Sequence, residues 1–148
     1  MRLSVTPSKD PDHYPFAHEI RVRFAETDAM GVVHHAAYLP YLEEARVAYL
    51  RHLGHPYDTI RAEGIDFSVL EVFVHYERPL RFDDVVRVHL EVASATRATF
   101  QLAYLLTVDG ERVATGVTVH GAVDKNGRAA RTPEWIRTAL SMGAPGAG

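Results

Sequence analysis

The 148-residue chain has no cysteine, which excludes disulfide bonds, thiolate metal ligands and a cysteine nucleophile. No apolar run approaches the roughly 18 residues of a membrane span, and the N-terminal MRLSVTPSKD lacks the apolar core of a secretory signal. Basic residues are not in excess, because the formal net charge is -3, so a broad nucleic-acid-binding face is not expected. We therefore expect a cytoplasmic protein, without membrane insertion, whose partner is a small molecule or another copy of the chain.

Several common catalytic motifs are also missing. The chain has no G-x-S-x-G nucleophile turn, no G-x-x-x-x-G-K-[ST] phosphate loop, no G-x-G-x-x-G dinucleotide loop and no H-E-x-x-H metal motif. What is present is typical of one globular domain, since 47% of the residues are hydrophobic and 24% are charged.

That single domain is predicted to span residues 17–141. Residues 1–16 are predicted to form a loose N-terminal segment, because prolines interrupt a polar opening. Residues 142–148 are predicted to be a flexible tail, because the chain closes on GAPGAG.

The first half of the domain changes its hydrophobic period. Alternation in HEIRVRFA predicts a half-buried strand with Phe24 on its apolar face. Apolar residues then recur at three- and four-residue steps, and Pro40 is tolerated only near a helix start. This pattern predicts a long helix that begins near Ala36 or Ala37, ends at Gly54 and is buried on most sides.

The second half consists mostly of predicted strands, namely IDFSVLEVFVHYER, VVRVHLEVAS, ATFQLAYLLTV and ERVATGVTVHGAV. Asp109 and Gly110 separate the last two runs, and this dipeptide favours a tight type I′ hairpin. A short terminal helix is predicted from Pro133. The order predicts an α+β fold, with an antiparallel sheet wrapped around one long central helix and an open edge that needs cover or a partner.

The loop before the long helix collects groups that suit attack on a carbonyl. An ordinary aspartate is ionised at neutral pH, which makes Asp28 a candidate nucleophile or base. Gly31 allows a tight turn and a close ligand. Amides from His35 to Ala37 are expected to be open donors at the positive end of the helix dipole, where they would hold an anionic oxygen.

Each of these residues also has a purely structural interpretation. Asp28 is expected to be able to cap a turn, and Tyr38 to belong to the core with its hydroxyl hydrogen-bonded. His34 and His35 are expected to point in different directions. No third ligand stands at a suitable spacing, so no metal site is predicted.

The run TDAMGVVHHAAYLPYLEEAR closely resembles the signature of hotdog-fold acyl-CoA thioesterases of the 4-hydroxybenzoyl-CoA thioesterase type, especially the Tol-Pal-associated branch. HYERPLRFDD, the Asp109-Gly110 hairpin and RTPEWI are similar to the same family, so the resemblance covers most of the chain. It implies a hotdog fold and an acyl-CoA substrate. It also implies a homodimer or a dimer of dimers, which is a homotetramer, with active sites between protomers. No metal or redox cofactor is implied, because coenzyme A is part of the substrate.

By position, the resemblance makes Asp28 the catalytic carboxylate and His35 the catalytic histidine seven residues later. Gly31, Val33, His34 and Tyr38 are the candidate substrate-binding residues. His34 and Phe24 stand where many relatives of this type carry tyrosine.

Three functions are compatible with this set. The first is hydrolysis of an acyl-CoA thioester to a carboxylic acid and free CoA. The second is a hotdog-fold enoyl-CoA hydratase or dehydratase, which moves water across a carbon–carbon double bond. The third is a non-catalytic module that binds an acyl-CoA.

Overall fold

A computed structural model describes residues 2–142 of the chain. A five-stranded antiparallel sheet has the order β1-β3-β4-β5-β2. The strands are β1 (Phe16–Arg21), β2 (Ile65–Tyr76), β3 (Val85–Ala95), β4 (Thr99–Val108) and β5 (Glu111–Asp124). The helices are α1 (Tyr38–His52), α2 (Tyr57–Ala62) and α3 (Glu134–Met142). Short 3-10 turns occupy Pro11–His13, Phe24–Glu26 and His35–Ala37.

Helix α1 lies against one face of the sheet and supplies the centre of the core. Apolar side chains at three- and four-residue steps are buried with alternate residues of the strands, because these positions share one side of the helix. The buried residues of α1 are Tyr38, Tyr41, Leu42, Ala45, Tyr49 and Leu50. Burial on most sides is a wrong prediction, since Leu39 and Glu43 are exposed on the side that faces away from this core.

Several sequence predictions are confirmed. The α+β hotdog arrangement is present, with a single long helix wrapped by the antiparallel sheet. At the hairpin between β4 and β5, Asp109 has φ 50° and Gly110 has φ 80°, as a type I′ turn requires. The terminal helix α3 begins directly after Pro133.

Other details differ from the predictions. Strand β1 ends at Arg21, so Phe24 does not lie on its apolar face but begins a 3-10 turn with its ring 75% exposed. Helix α2 has no counterpart in the predictions, because a six-residue helix is too short for its period to be recognised.

Residues 2–15 lie across the face of the sheet opposite α1. The Ser4 amide donates to Gln101 Oε1 at 3.1 Å, and the Tyr14 ring is buried against Ala103 and Leu105. Looseness of residues 1–16 stays a prediction, and most of the predicted tail at 142–148 lies outside the described residues. Among residues 2–142, no helix has the length and apolar character needed to cross a membrane.

Candidate active site

The loop between β1 and α1 is closed by a tight turn at residues 28–32. The Gly31 amide donates to the Asp28 carbonyl at 3.0 Å, and the Asp28 amide donates to the Val32 carbonyl at 2.8 Å. Gly31 has φ 79°, a conformation that costs any residue with a Cβ about 1–2 kcal/mol. The glycine predicted to form the turn therefore does so.

The Asp28 carboxylate uses only one of its two oxygens within the chain. Oδ1 accepts from the amides of Met30 at 2.8 Å and Val32 at 3.3 Å. Across residues 2–142, Oδ2 makes no hydrogen bond, and the side chain is exposed. Asp28 therefore caps the turn with Oδ1 and keeps Oδ2 available.

The start of the helix offers fewer open amides than the sequence predicts. His34 caps the 3-10 turn, because its Nδ1 accepts from the Ala36 amide at 3.2 Å and its carbonyl accepts from the Ala37 amide at 2.9 Å. The prediction of three open donors is therefore wrong for Ala36 and Ala37. Within the described chain, only the His35 amide among these three has no acceptor.

Two contacts hold His35, one at its carbonyl and one at its ring. The Tyr76 hydroxyl on β2 donates to the His35 carbonyl at 3.0 Å. The rings of His34 and His35 are stacked with centroids 4.3 Å apart, so the expectation that they point in different directions is wrong. Among residues 2–142, no cluster of three or more histidine, aspartate or glutamate side chains could hold a metal ion.

A shallow cavity of about 270 Å³ opens beside His35. Val33 and Tyr38 line it together with His35, whereas Asp28, Gly31 and His34 do not. Tyr38 is only 3% exposed and its ring meets the edge of Tyr76 at 4.8 Å. Burial raises the pKa of Tyr38, so its hydroxyl stays neutral.

Glu26 joins the loop to α1 through contacts that the sequence analysis missed. Its Oε1 accepts from the Tyr41 hydroxyl of α1 at 2.7 Å and from the Arg23 amide at 2.8 Å, and its carbonyl accepts from the His34 amide at 2.9 Å. Burial acts to raise the pKa of Glu26, but these hydrogen bonds and the Arg23 guanidinium outweigh it and lower the pKa. An ionised carboxylate therefore ties the loop to the helix. The glutamate lies 15 residues before its tyrosine partner, a spacing that no local motif reveals.

Larger openings lie elsewhere on the chain. Two grooves of about 340 and 310 Å³ run between α1 and β2 and share Glu43, Arg46 and Val69. A groove of about 840 Å³ lies on the opposite face of the sheet, beside Tyr14 and His89. It contains no residue of the 28–37 loop, so its size alone does not connect it with the candidate chemistry.

Known proteins resemble this chain in sequence and in structure. The sequence pattern of the thioesterase-like superfamily matches residues 22–140. A putative esterase from Aquifex aeolicus is 40% identical over 126 residues, which cover 85% of this chain and 98% of the relative. The acyl-CoA thioester hydrolase YbgC of Escherichia coli O6:H1 is 38% identical over 79 residues, or 53% of this chain and 59% of the relative.

A solved thioesterase structure is also similar to this chain. A thioesterase from Thermus thermophilus, complexed with coenzyme A and zinc, is 30% identical and has a TM-score of 0.76. The match covers 88% of this chain and 95% of that chain. The predicted hotdog fold and thioesterase class are therefore confirmed, and the chain belongs to the thioesterase-like superfamily.

Proposed function

We propose that the protein hydrolyses acyl-CoA thioesters to a carboxylic acid and free CoA. The observation that carries this proposal is the pairing of one open amide, at His35, with one open carboxylate oxygen, at Asp28, in a single short loop. The similarity to an acyl-CoA thioester hydrolase and to a thioesterase complexed with coenzyme A supports the substrate class.

In the proposed mechanism, the thioester carbonyl oxygen accepts from the His35 N–H at the positive end of α1. Acting as a base, Asp28 Oδ2 removes a proton from water, whose oxygen bonds to the carbonyl carbon while the C=O electron pair moves to oxygen. The C=O bond then re-forms, the C–S bond breaks, and the departing thiolate takes the proton from Asp28. Acting instead as a nucleophile, Oδ2 bonds to the carbon, the thiolate leaves, and water hydrolyses the resulting anhydride.

Typical rate contributions indicate how much each group would add to hydrolysis. An oxyanion donor in a preorganised site typically contributes about 10²–10³-fold. A positioned base contributes roughly 10²–10⁴-fold. The helix dipole alone, about 0.3–1 kcal/mol at an exposed site, is too small to carry catalysis.

A second protomer is part of the proposal. Strand β2 forms an edge of the sheet, and Val69, Val72 and Phe73 are exposed along it. An apolar open edge favours pairing with another strand, so we propose a homodimer joined at β2, with a dimer of dimers as the larger assembly. The partner would then cover the grooves beside α1 and approach the cavity at His35.

Three further assignments remain proposals. These are membership of the Tol-Pal-associated branch, which the similarity to YbgC supports, a cytoplasmic location, and turnover without a metal or redox cofactor.

Release of CoA tests the proposed function directly. The chain has no cysteine, so a thiol-reactive dye reports free CoA without background from the protein. We expect release from a panel of aliphatic and aromatic acyl-CoAs. Asp28→Asn keeps the oxygen that caps the turn but removes the charge, and it should lower kcat by about 10²–10⁴-fold.

Asp109→Asn is the matched control, because this exposed aspartate lies in the β4–β5 hairpin and asparagine suits its positive φ. Equal rates for Asp28→Asn and the wild type would refute the role of Asp28. Water addition to an enoyl-CoA with the thioester intact would indicate a hydratase. Tight binding with neither reaction would indicate a non-catalytic module.

A further inference from the structure

We propose that a surface formed by Phe24, Arg81 and Phe82, here called the nucleotide patch, binds the adenosine 3′-phosphate end of a CoA thioester. This inference rests on the proposed function and extends it from the reacting group to the other end of the substrate. The patch lies beside the Asp28 loop, because Arg81 and Val32 form an isolated antiparallel bridge.

The two aromatic rings are exposed and already arranged as a pair. Phe24 is 75% exposed and Phe82 is 55% exposed. Their centroids are 5.7 Å apart with the planes at 82°, so the edge of one ring meets the face of the other. Large exposed phenyl rings are costly in water, and a purine base stacked on an aromatic ring removes that surface from solvent with a gain of about 1–3 kcal/mol.

Arg81 directly precedes Phe82 in the chain and supplies a positive charge. Its guanidinium makes no ion pair with any carboxylate of residues 2–142, although its amide donates to Asp84. The two neighbouring arginines are already engaged, since Arg21 pairs with Asp83 and Arg23 with Glu26. A free guanidinium suits a phosphate, with which it forms charge-assisted hydrogen bonds.

The distance from the patch to Asp28 fits the length of the substrate. Phe24 precedes Asp28 by four residues, which limits the separation of their Cα atoms to about 14 Å. The pantetheine arm between the sulfur and the pyrophosphate has about as many main-chain bonds as four extended residues, so it spans about the same distance. The adenine lies beyond the pyrophosphate and the ribose, which add further reach. A thioester carbon at Asp28 and an adenine at Phe24 can therefore belong to one molecule.

Substrate truncation tests this assignment. We compare kcat/KM for an acyl-CoA, for the same acyl-dephospho-CoA, which lacks the 3′-phosphate, and for the same acyl N-acetylcysteamine thioester, which lacks the nucleotide. Phe24→Ala and Phe82→Ala should each lower the ratio of kcat/KM for acyl-CoA to that for the truncated thioester by about tenfold. Arg81→Met should reduce the preference for CoA over dephospho-CoA by about fivefold.

Arg97→Met is the control, because Arg97 is exposed on the turn between β3 and β4. It should leave all of these ratios within twofold of the wild type, on the order of the scatter among neutral surface changes. An equal loss on full-length and truncated thioesters would overturn the proposal, because the patch would then act on the loop and not on the nucleotide. Unchanged ratios in all three patch variants would overturn it as well.

Direct binding separates this inference from the proposed function. Calorimetry with adenosine 3′,5′-bisphosphate should show binding to the wild type and a loss of at least about tenfold in affinity in Phe82→Ala. If no thioester is hydrolysed but this binding and its loss are observed, the proposed function fails and the nucleotide patch stands. A change in oligomeric state in the patch variants, or patch-dependent flotation with anionic lipid vesicles, would assign the surface to a second copy or to a membrane and overturn the proposal.

Discussion

The two ends of helix α1 are built in opposite ways. At the C-terminal end, the His55 amide donates to the Leu50 carbonyl and the Gly54 amide donates to the Arg51 carbonyl, which together form a Schellman motif. Trp135 of α3 stacks on His55 with the ring centroids 4.0 Å apart. At the N-terminal end, the 3-10 turn is exposed and the His35 amide has no acceptor among the described residues.

This difference agrees with the proposed binding role of the N-terminal end. The last carbonyls of a helix and its first amides both lose their intrahelical partners, and a chain under selection for stability alone satisfies both sets. Here the carbonyls of Tyr49, Leu50 and Arg51 accept hydrogen bonds at the C-terminal end. At the N-terminal end, among the described residues, the His35 amide stays free in the loop that carries the free Asp28 oxygen. An unsatisfied donor at the positive end of the dipole is suited to an anionic ligand.

The largest effect on stability is expected from a hydrogen-bonded network that lies between the two ends of α1. It consists of Arg46, Tyr104, Thr118 and His120. The His120 Nε2 lies 2.7 Å from Thr118 Oγ1, and Arg46 donates to the Tyr104 hydroxyl at 3.2 Å. Burial, with Arg46 as the second cause, lowers the pKa of His120 to about 3. The unfolded chain takes up this proton near its ordinary pKa of about 6.5, before the folded chain does.

His120 therefore contributes stability that is complete above about pH 6.5 and is lost progressively as the pH falls toward 3. We expect a loss of about 2.5 kcal/mol from this residue between pH 7 and pH 4.5. Denaturant unfolding at both pH values measures it, and His120→Gln, which does not titrate, should show a smaller loss by about that amount. Equal losses in the two proteins would contradict the buried, neutral histidine.

A matched glycine pair compares the two ends directly. Gly31 has φ 79° and Gly54 has φ 91°, and an added Cβ meets nothing within 4 Å at either position. Alanine at each should therefore lower the free energy of unfolding by a similar amount, about 1–2 kcal/mol, through backbone strain alone. Only Gly31→Ala should also lower kcat, by about 10–100-fold, because it moves Asp28 relative to the His35 amide. Similar activities in the two variants would remove the functional distinction between the ends.

A matched tyrosine pair gives the smallest effect. Tyr41→Phe removes the hydrogen bond to Glu26 that ties the loop to α1, and Tyr49→Phe removes a hydroxyl that bonds to the Val92 backbone nearer the other end. Each change should cost about 1 kcal/mol of stability. Tyr41→Phe should also reduce kcat/KM a few-fold, about the effect of 1 kcal/mol. An unaltered kcat/KM in Tyr41→Phe would show that the loop does not depend on this contact.

Sequence reasoning succeeded where local rules decide the structure. Three features follow from short-range rules and were predicted. They are the long helix with its three- and four-residue spacing, the turn at Asp109-Gly110 and the helix that begins after Pro133. An open sheet edge was also expected, although the strand that forms it was not predicted; the structure places β2 at one edge. These features depend on neighbours within a few residues or on the alternation of a single segment.

The candidate site was predicted only in part, because its details depend on side chains that meet through the fold. Asp28 and Gly31 predicted a turn. No local sequence pattern indicated that His34 would accept a hydrogen bond from the Ala36 amide, which leaves the His35 amide open. The contacts from Glu26 to Tyr41 and from Tyr76 to His35 join residues 15 and 41 positions apart. Such pairings follow from the packing of β2 and α1, and no sequence period encodes them.

The most direct test of the account compares His35→Ala with His35→Pro. Both remove the imidazole, but only proline removes the N–H, and proline is tolerated in the first turn of a helix. His34, at φ -61° and ψ 137°, already has the extended conformation that a residue before proline adopts. We predict that kcat for acyl-CoA hydrolysis falls by about 10²–10³-fold in His35→Pro and only a few-fold in His35→Ala, with both proteins folded. Equal rates in the two variants would contradict the claim that this single amide holds the carbonyl oxygen.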